Sequence, residues 1–189
     1  INLETYIFAD DETGQQFAAL LLERQAAGVQ VNVIHDGIGS MATPRSFFDE
    51  LRAAGIGVLE FNPVNPLSGN EKAWRLNNRD HRKLLVVDGK VAFLGGINIS
   101  SVYSGGSFRQ SSKVRPDGTL PWRDTDLQIE GPAVTEVQKL FMETWEKQKG
   151  EPLAPRNYFP APDPAGKEVV RIIGSSPDEP YSLIYATLI

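Results

Sequence analysis

Strand and helix patterns alternate along the first sixty residues, and this alternation restricts the chain to α/β folds. Residues 1–9, the run VQVNVI and the segment IGVLEF have strand patterns. Between them lie two helix patterns: FAALLLERQAA, after a cap at Asp10 or Asp11 and before a stop at Gly28, and PRSFFDELRAA, between Pro44 and Gly55. Two βαβ units follow, so we expect an α/β fold with a mixed, largely parallel central sheet and helices on both faces.

Composition limits the chemistry that the chain can use. With 189 residues, 41% of them hydrophobic, it is long enough to bury a sizeable core. It has no cysteine and two isolated histidines, which excludes disulfides and thiolate metal sites and predicts neither a bound metal nor a cofactor. The formal net charge of −5 argues against broad, non-specific binding of nucleic acid.

The segment HRKLLVVDGKVAFLGGIN, residues 81–98, holds the main candidates for a functional site. Alternation and β-branching predict a strand at its start, in which His81 and Lys83 point to the same face. An imidazole beside a fixed positive charge suits a phosphate group. Gly95 and Gly96 let the backbone approach a ligand closely, and Asn98 offers an amide that can donate to a phosphoryl oxygen.

Asp88 belongs to the same segment but has a different predicted role. It lies seven residues after His81, which places it on the opposite face of a straight strand. It also begins an Asp-Gly pair between two apolar runs, which is typical of a hairpin turn. We therefore interpret Asp88 as organising the turn and the backbone.

Two further side chains are candidates for substrate binding. Arg79 belongs to a local basic cluster, completed by Lys72, Arg75, Arg82 and Lys83, that could recruit one anionic headgroup. His35 follows a predicted parallel strand and precedes the segment DGIGS, and such strand ends often line ligand crevices. His35 is therefore either a residue at the rim of the site or a loop residue with satisfied hydrogen bonds.

The spacing of these residues resembles a known signature. His81-x-Lys83-x4-Asp88-x6-Gly95-Gly96-x-Asn98 is similar to the HKD motif of the phospholipase D superfamily, with Gly96 where serine is usual. The flanking segments LETYIFADDETG and WRDTDLQIEGPAV resemble those of bacterial cardiolipin synthases and their phospholipase D-like relatives. The resemblance extends from residue 1 to about residue 148.

The resemblance implies a catalytic set and a mechanism. His81 would attack phosphorus to give a phosphohistidine, with Lys83, Asp88 and Asn98 completing the motif. Asp124 would match the family's acid that hydrogen-bonds the nucleophilic imidazole, and Asp126, which has the same strand parity, is the alternative.

The same resemblance implies phospholipid substrates. Transfer to the glycerol hydroxyl of phosphatidylglycerol would make a cardiolipin synthase, and transfer to water a phospholipase D. The chain could also be a nuclease of the same superfamily or a non-catalytic interaction module. We expect action at the bacterial cell membrane, with the protein bound peripherally or anchored by a segment outside this chain.

The domain organisation follows from composition and from the resemblance. Residues 1–148 form the predicted lobe, residues 149–167 hold five prolines and predict a linker, and residues 168–189 would begin a second lobe with a strand at VVRIIG and a helix in PYSLIYATLI. Because members of the superfamily combine two HKD lobes, the missing histidine would come from a second lobe in cis or from a homodimer. Loops are predicted at 62–80, with Trp74 packed, and at 103–123, as a lid over the site.

Overall fold

Six strands and five helices make up the part of the chain that the computed structural model describes, residues 1–63, 78–104, 124–175 and 183–188. The strands are β1 (Asn2–Thr5), β2 (Asn32–Asp36), β3 (Gly57–Phe61), β4 (Leu84–Val87), β5 (Val91–Gly95) and β6 (Asp126–Glu130). The helices are α1 (Glu12–Ala26), α2 (Arg45–Ala53), α3 (Ser101–Ser104), α4 (Ala133–Lys147) and α5 (Leu183–Leu188).

The strands form one mixed sheet in the order β3-β2-β1-β4-β5-β6. β1, β2 and β3 pair in parallel through the crossovers α1 and α2, which confirms both βαβ units. The mixed α/β class is confirmed, but parallel pairing is confined to these three strands. β4 pairs antiparallel to β1, and β5 and β6 continue antiparallel, because a tight hairpin joins β4 to β5.

Helices cover both faces of the sheet, as the sequence predicts. On one face, Leu3 and Val33 pack in a core with side chains of α1 and α2. On the other, Ile34 and Val86 pack against α4. The apolar stripe of α4 lies in this second core, with four members buried and one partly buried: Val134, Val137, Phe141 and Trp145, and Leu140.

Local signals at the element ends are confirmed as well. Asp11 is the N-cap of α1, and its side chain accepts a hydrogen bond from the Gly14 N–H. Gly28 and Gly55, with φ of 86° and 88°, follow the two crossover helices. Asp88 (φ 55°) and Gly89 (φ 64°) form the turn between β4 and β5, and two successive positive φ values are typical of a type I′ hairpin turn.

The segment after α4 differs from its prediction. Residues 169–174, VVRIIG, are not a strand, because they pair with no strand edge in the described part of the chain. Ile172 instead packs on the α4 side of the sheet, as does Leu153. Nε1 of Trp145 donates to the Glu151 carbonyl at 2.8 Å, so the Pro-rich segment lies along the lobe at this point.

Some predictions concern residues outside the described ranges. Trp74, Lys72 and Arg75 fall within 64–77, and most of the predicted lid falls within 105–123. Among the residues that the structure describes, no helix combines the length and the apolar character needed to cross a membrane.

Candidate active site

His81 and Lys83 precede β4, which begins at Leu84, and are not part of a strand as predicted. Their segment is nevertheless fixed to the sheet, because the Gly95 N–H donates to the Lys83 carbonyl at 3.2 Å. Nζ of Lys83 donates to the main-chain oxygen of His81 at 2.7 Å. The His81 side chain is exposed, whereas Lys83 is buried. The two residues are therefore neighbours, with the imidazole accessible and the ammonium behind it.

Tyr6 joins these two side chains and was missed by the sequence analysis. Its ring centroid lies 4.8 Å from that of His81 and 5.4 Å from Nζ of Lys83. The aromatic face thus supports the imidazole and attracts the ammonium. Tyr6 directly follows β1, where the sheet changes from parallel to antiparallel pairing, and this strand-end position was the signal that could have identified it.

The buried carboxylate of Asp36, at the end of β2, binds the residues that immediately precede His81. Oδ1 of Asp36 accepts from the N–H groups of Ile38 and Gly39 at 2.8 and 2.9 Å, and Oδ2 accepts from the Asp80 N–H at 3.0 Å. Arg79 directs its guanidinium at Asp36 Oδ1 (3.4 Å) and at the Asn62 carbonyl (3.1 Å). NH1 of Arg79 thus supports the segment that carries His81. The predicted contact of Arg79 with a headgroup stays a prediction.

His35 has neither of the two predicted positions. It lies within β2, is buried, and stacks on Phe48 with ring centroids 3.7 Å apart and planes 3° apart. Neither ring nitrogen has a hydrogen-bond partner within the described ranges. Burial, followed by the charge of Arg52, lowers the pKa of His35 to about 4. His35 is thus a neutral core residue, because β2 continues past the point where the sequence predicted its end.

Asn98 is buried and ties two segments of the site together. Its Oδ1 accepts from the Ile7 N–H at 3.0 Å, and its Nδ2 donates to the Tyr103 hydroxyl at 2.8 Å. The amide has two N–H groups, and one of them is used by Tyr103. A single N–H therefore remains for the predicted contact with a phosphoryl oxygen.

Gly95 and Gly96 make room for two carboxylates. A Cβ at Gly95 would overlap Oδ1 of Asp126, its partner on β6, and a Cβ at Gly96 would lie 2.5 Å from Oδ1 of Asp124. The absence of side chains at Gly95 and Gly96 therefore allows residues 124–126 to pack closely against them. The predicted contact of these glycines with a ligand stays a prediction.

Asp124 and Asp126 both lie near Lys83. The charge of Asp124 acts to raise the pKa of Lys83 against the effect of burial, and Asp126 lines the same cleft as Lys83. Within the described ranges, however, no hydrogen bond joins Asp124 to His81, so the predicted carboxylate–imidazole contact is not formed here.

Asp88 lies away from this group of residues. It is exposed at the hairpin tip, and β4 separates it from Lys83 by about 16 Å of extended chain. Its charge acts instead on the N-terminal amine of Ile1. The structure thus agrees with the turn role, and it corrects the place that the signature gives Asp88 in the catalytic set.

The site keeps its imidazole neutral and its ammonium close to carboxylates. Partial burial and then the charge of Lys83 lower the pKa of His81, while Asp80 and Asp36 oppose the shift. Burial also lowers the pKa of Lys83, and the nearby carboxylates of Asp80, Asp124 and Asp36 act against it. A neutral imidazole has a free lone pair on one nitrogen, which is what a nucleophile requires.

A largely apolar cleft of about 310 Å³ begins beside Lys83 and Asn98. Its lining residues come from β1, α1, β4, β5, the segment that follows β5, and the first residue of β6. Its apolar wall includes Phe17, Leu85, Phe93, Ile97 and Ile99. The lining thus combines this apolar wall with the charged residues Lys83 and Asp126.

The comparisons with known proteins agree with this arrangement. Residues 1–105, more than half of the 189-residue chain, match the family model described as "Cardiolipin synthase, PLD-like domain". The chain belongs to this family.

Similar relatives come from several bacteria. The chain is 37% identical over 187 residues to "Cardiolipin synthase" of Geobacillus kaustophilus (strain HTA426), a match that covers 97% of this chain and 35% of the relative. It is 33% identical over 200 residues to "Cardiolipin synthase 1" of Bacillus anthracis (100% and 36%). It is 36% identical over 181 residues to "Cardiolipin synthase A" of Pseudomonas fluorescens (strain SBW25) (96% and 35%). The chain spans about a third of the length of these curated relatives.

Proposed function

We propose that this chain is the nucleophile-bearing part of a cardiolipin synthase-like phosphatidyltransferase that uses phosphatidylglycerol as both donor and acceptor. One observation carries the proposal: the exposed, neutral imidazole of His81 lies beside Lys83, and the buried Lys83 side chain lines a largely apolar cleft. The family match covers all of these residues.

His81 carries out the first displacement. A ring nitrogen attacks phosphorus, a nitrogen–phosphorus bond forms, and the bond to the glycerol oxygen breaks as a second histidine protonates that oxygen. The hydroxyl of a second phosphatidylglycerol then attacks phosphorus and loses its proton to the second histidine. A new phosphorus–oxygen bond forms, and the nitrogen–phosphorus bond breaks to release the His81 imidazole. Cardiolipin and free glycerol are the products.

Lys83 and Asn98 stabilise the charge on the non-bridging oxygens. Within the described ranges, Nζ of Lys83 has one hydrogen bond, to the His81 carbonyl, which leaves two of its three N–H groups for phosphate. Asn98 adds its remaining N–H. Removal of one donor of this kind typically costs ~10²-fold or more in rate. Asp124 is the carboxylate that we assign to the imidazolium as it forms.

The second histidine comes from outside this site. His35, the other histidine of the chain, is buried against Phe48 and cannot face the same phosphate. A second HKD lobe in cis is favoured by the length of the relatives, and a homodimer is the alternative. In either case we expect the 189-residue chain to be inactive as a monomer.

The apolar cleft favours a lipid over DNA as the substrate. Its wall offers side chains for acyl chains, and the net charge of −5 opposes the neutralisation of many phosphates along a duplex. The protein would therefore work at the surface of a bacterial membrane, held peripherally or by a segment outside this chain.

Lipid mass spectrometry tests the proposal. The protein that contains this chain, incubated with phosphatidylglycerol vesicles, should release one glycerol for each cardiolipin formed, and EDTA should not change the rate. Phosphatidic acid as the main product would reassign the protein as a phospholipase D. Cleavage of plasmid DNA without lipid turnover would favour the nuclease, and lipid binding without turnover would favour the interaction module.

A further inference from the structure

A buried carboxyl pair lies directly behind the segment that carries His81. Glu4 of β1 is completely buried, and Asp80, one residue before His81, is 5% exposed. The two carboxyl groups are close enough for a side-chain hydrogen bond. Neither group belongs to the HKD motif.

The donors around this pair leave one oxygen of each group unpaired. Oε1 of Glu4 lies 3.3 Å from the Thr144 hydroxyl and 3.5 Å from NH1 of Arg82. Oδ1 of Asp80 accepts from the Arg82 N–H at 3.1 Å. The remaining oxygens, Oε2 of Glu4 and Oδ2 of Asp80, are buried and receive no hydrogen bond from any donor in the described part of the chain.

A single proton, bound to one of these oxygens and donated to the other, would give both a hydrogen-bond partner. Two ionised carboxylates in contact repel each other, whereas a carboxylic acid donates to a carboxylate in a short, strong hydrogen bond. Burying an unpaired polar oxygen costs free energy, so a proton between the two groups removes two unfavourable terms at once.

The surrounding charges identify which group holds the proton. Glu4 faces Asp80 and Arg82, with the uncharged Thr144 on α4, and the Arg82 guanidinium is shared with Thr144 and with the Ser175 carbonyl. Burial, followed by the charge of Asp80, raises the pKa of Glu4 well above its ordinary value. Asp80 faces a richer set of positive charge and donors: the Arg82 N–H, the ammonium of Lys83 and the His81 ring, with Asp36 as the nearby acid.

We propose that Glu4 is held as the neutral acid and donates a hydrogen bond from Oε2 to Oδ2 of Asp80, which makes Glu4 a positioning residue for His81. The pair then carries one negative charge, located on Asp80 next to the imidazole. Glu4 fixes the Asp80 side chain, and the Asp80 carboxylate opposes the effects of burial and of Lys83 on His81. The effect of Glu4 on catalysis rests on the function proposed above, whereas the protonation state of Glu4 does not.

Infrared spectroscopy tests the shared proton without any turnover. At pH 7.5 the C=O stretch of a protonated carboxylic acid is separated from the carboxylate bands, and exposed carboxyl groups are ionised. The protein that contains this chain should show such a band, and Glu4→Gln should lack it. Glu143→Gln, the same change at an exposed position of α4, is the matched control and should retain the band. Identical spectra for the wild type and Glu4→Gln would overturn the proposal.

Turnover as a function of pH tests the positioning role. The Gln amide can donate to Asp80 as the acid does, so Glu4→Gln should keep its rate at pH 7 within about threefold of the wild type. If ionisation of Glu4 lowers turnover of the wild type at alkaline pH, this decline should be absent from Glu4→Gln, because Gln cannot ionise. Glu4→Leu leaves Oδ2 of Asp80 unpaired and should lower turnover about tenfold or more.

The outcomes separate the two proposals. A folded Glu4→Gln variant that loses more than about tenfold at pH 7 would show that ionised Glu4 is needed, against this inference. An acid band that disappears in Glu4→Gln, in a protein with no phosphatidyl transfer, would support the inference and overturn the proposed function.

Discussion

At the scale of single residues, the site depends on the opposed charges around His81. Lys83 lowers the pKa of the imidazole and supplies a cation for the phosphate, whereas Asp80 and Asp36 raise the pKa. The nucleophile must be neutral, so the acid limb of the kcat/KM profile should lie below the ordinary histidine pKa of about 6.5.

Lys83→Met tests both functions of the ammonium. Loss of the positive charge should raise the pKa of His81 and move the acid limb to higher pH, and loss of the donor should lower the maximum rate ~10²-fold. The pH dependence of kcat/KM measures both effects. An unchanged acid limb would contradict the proximity of the two charges.

Gly96 offers a second test at this scale. A Cβ at Gly96 would meet Oδ1 of Asp124, an exposed side chain that can move aside. Gly96→Ala should therefore displace the Asp124 carboxylate and lower turnover by about tenfold, with little change in stability. Gly95→Ala is the contrast, because its Cβ would lie 2.8 Å from the main-chain Cα of Asp126 and should destabilise the fold itself. Thermal melting together with turnover separates the two, and equal effects of both variants would argue against this account.

The sequence indicated His81, Lys83 and Asn98 through a fixed spacing in one segment, and their catalytic roles stay predictions. It missed Tyr6, Asp36 and Glu4, whose roles come from contacts with residues more than forty positions away. The contact of Arg79 with Asp36 was missed for the same reason, since Asp36 lies 43 residues earlier. The pattern of residues within one segment cannot predict contacts between segments so far apart in the sequence.

At the scale of elements, Asp11 couples α1 to the segment after β5. Its Oδ1 caps the helix through the Gly14 N–H, and its Oδ2 accepts from the Ser100 hydroxyl at 2.9 Å and the Ser101 N–H at 2.7 Å. Burial acts to raise the pKa of Asp11, but these hydrogen bonds outweigh it and the pKa is lowered. The cap thus connects a crossover helix to the residues that follow Asn98.

Asp11→Ala should reduce the free energy of unfolding by about 1 kcal/mol, the typical cost of removing an N-cap side chain. Asp10→Ala, at the exposed neighbouring position, is the matched control and should cost less than about 0.5 kcal/mol. Urea unfolding measures both variants. Equal losses would show that the cap does not couple these segments.

Element prediction succeeded where periodicity and end signals agreed, as for α1 and α2. It failed at VVRIIG, because a β-branched run becomes a strand only beside an unpaired edge, and the sequence does not show which edges are available. The sequence also did not show that β4, β5 and β6 pair antiparallel. Their directions depend on the hairpin between β4 and β5 and on the pairing of β6 with β5.

At the scale of the whole molecule, His35 connects protonation to stability. The folded protein keeps this buried imidazole neutral with a pKa of about 4, whereas an unfolded histidine titrates near 6.5. Above pH 6.5 neither state is charged. As the pH falls from 6.5 towards 4, the unfolded chain binds a proton that the folded chain does not, so stability decreases by up to about 1.4 kcal/mol per pH unit.

His35→Gln should remove this contribution. The wild type should lose about 1.5 kcal/mol more than the variant between pH 6.5 and pH 5, in urea unfolding at each pH. His81→Gln, at the exposed position, is the control and should retain most of the wild-type loss. Parallel losses in the wild type and His35→Gln would contradict the buried neutral state.

The central claim is that His81 is the covalent nucleophile, and its most direct test is phosphatidyl transfer by His81→Asn. The variant is measured in the protein that contains this chain, with phosphatidylglycerol vesicles and with circular dichroism and thermal melting as controls of folding. The exposed side chain contributes little to the core, so we predict a folded protein whose turnover falls by on the order of 10⁴-fold or more. Turnover within about tenfold of the wild type would contradict the account.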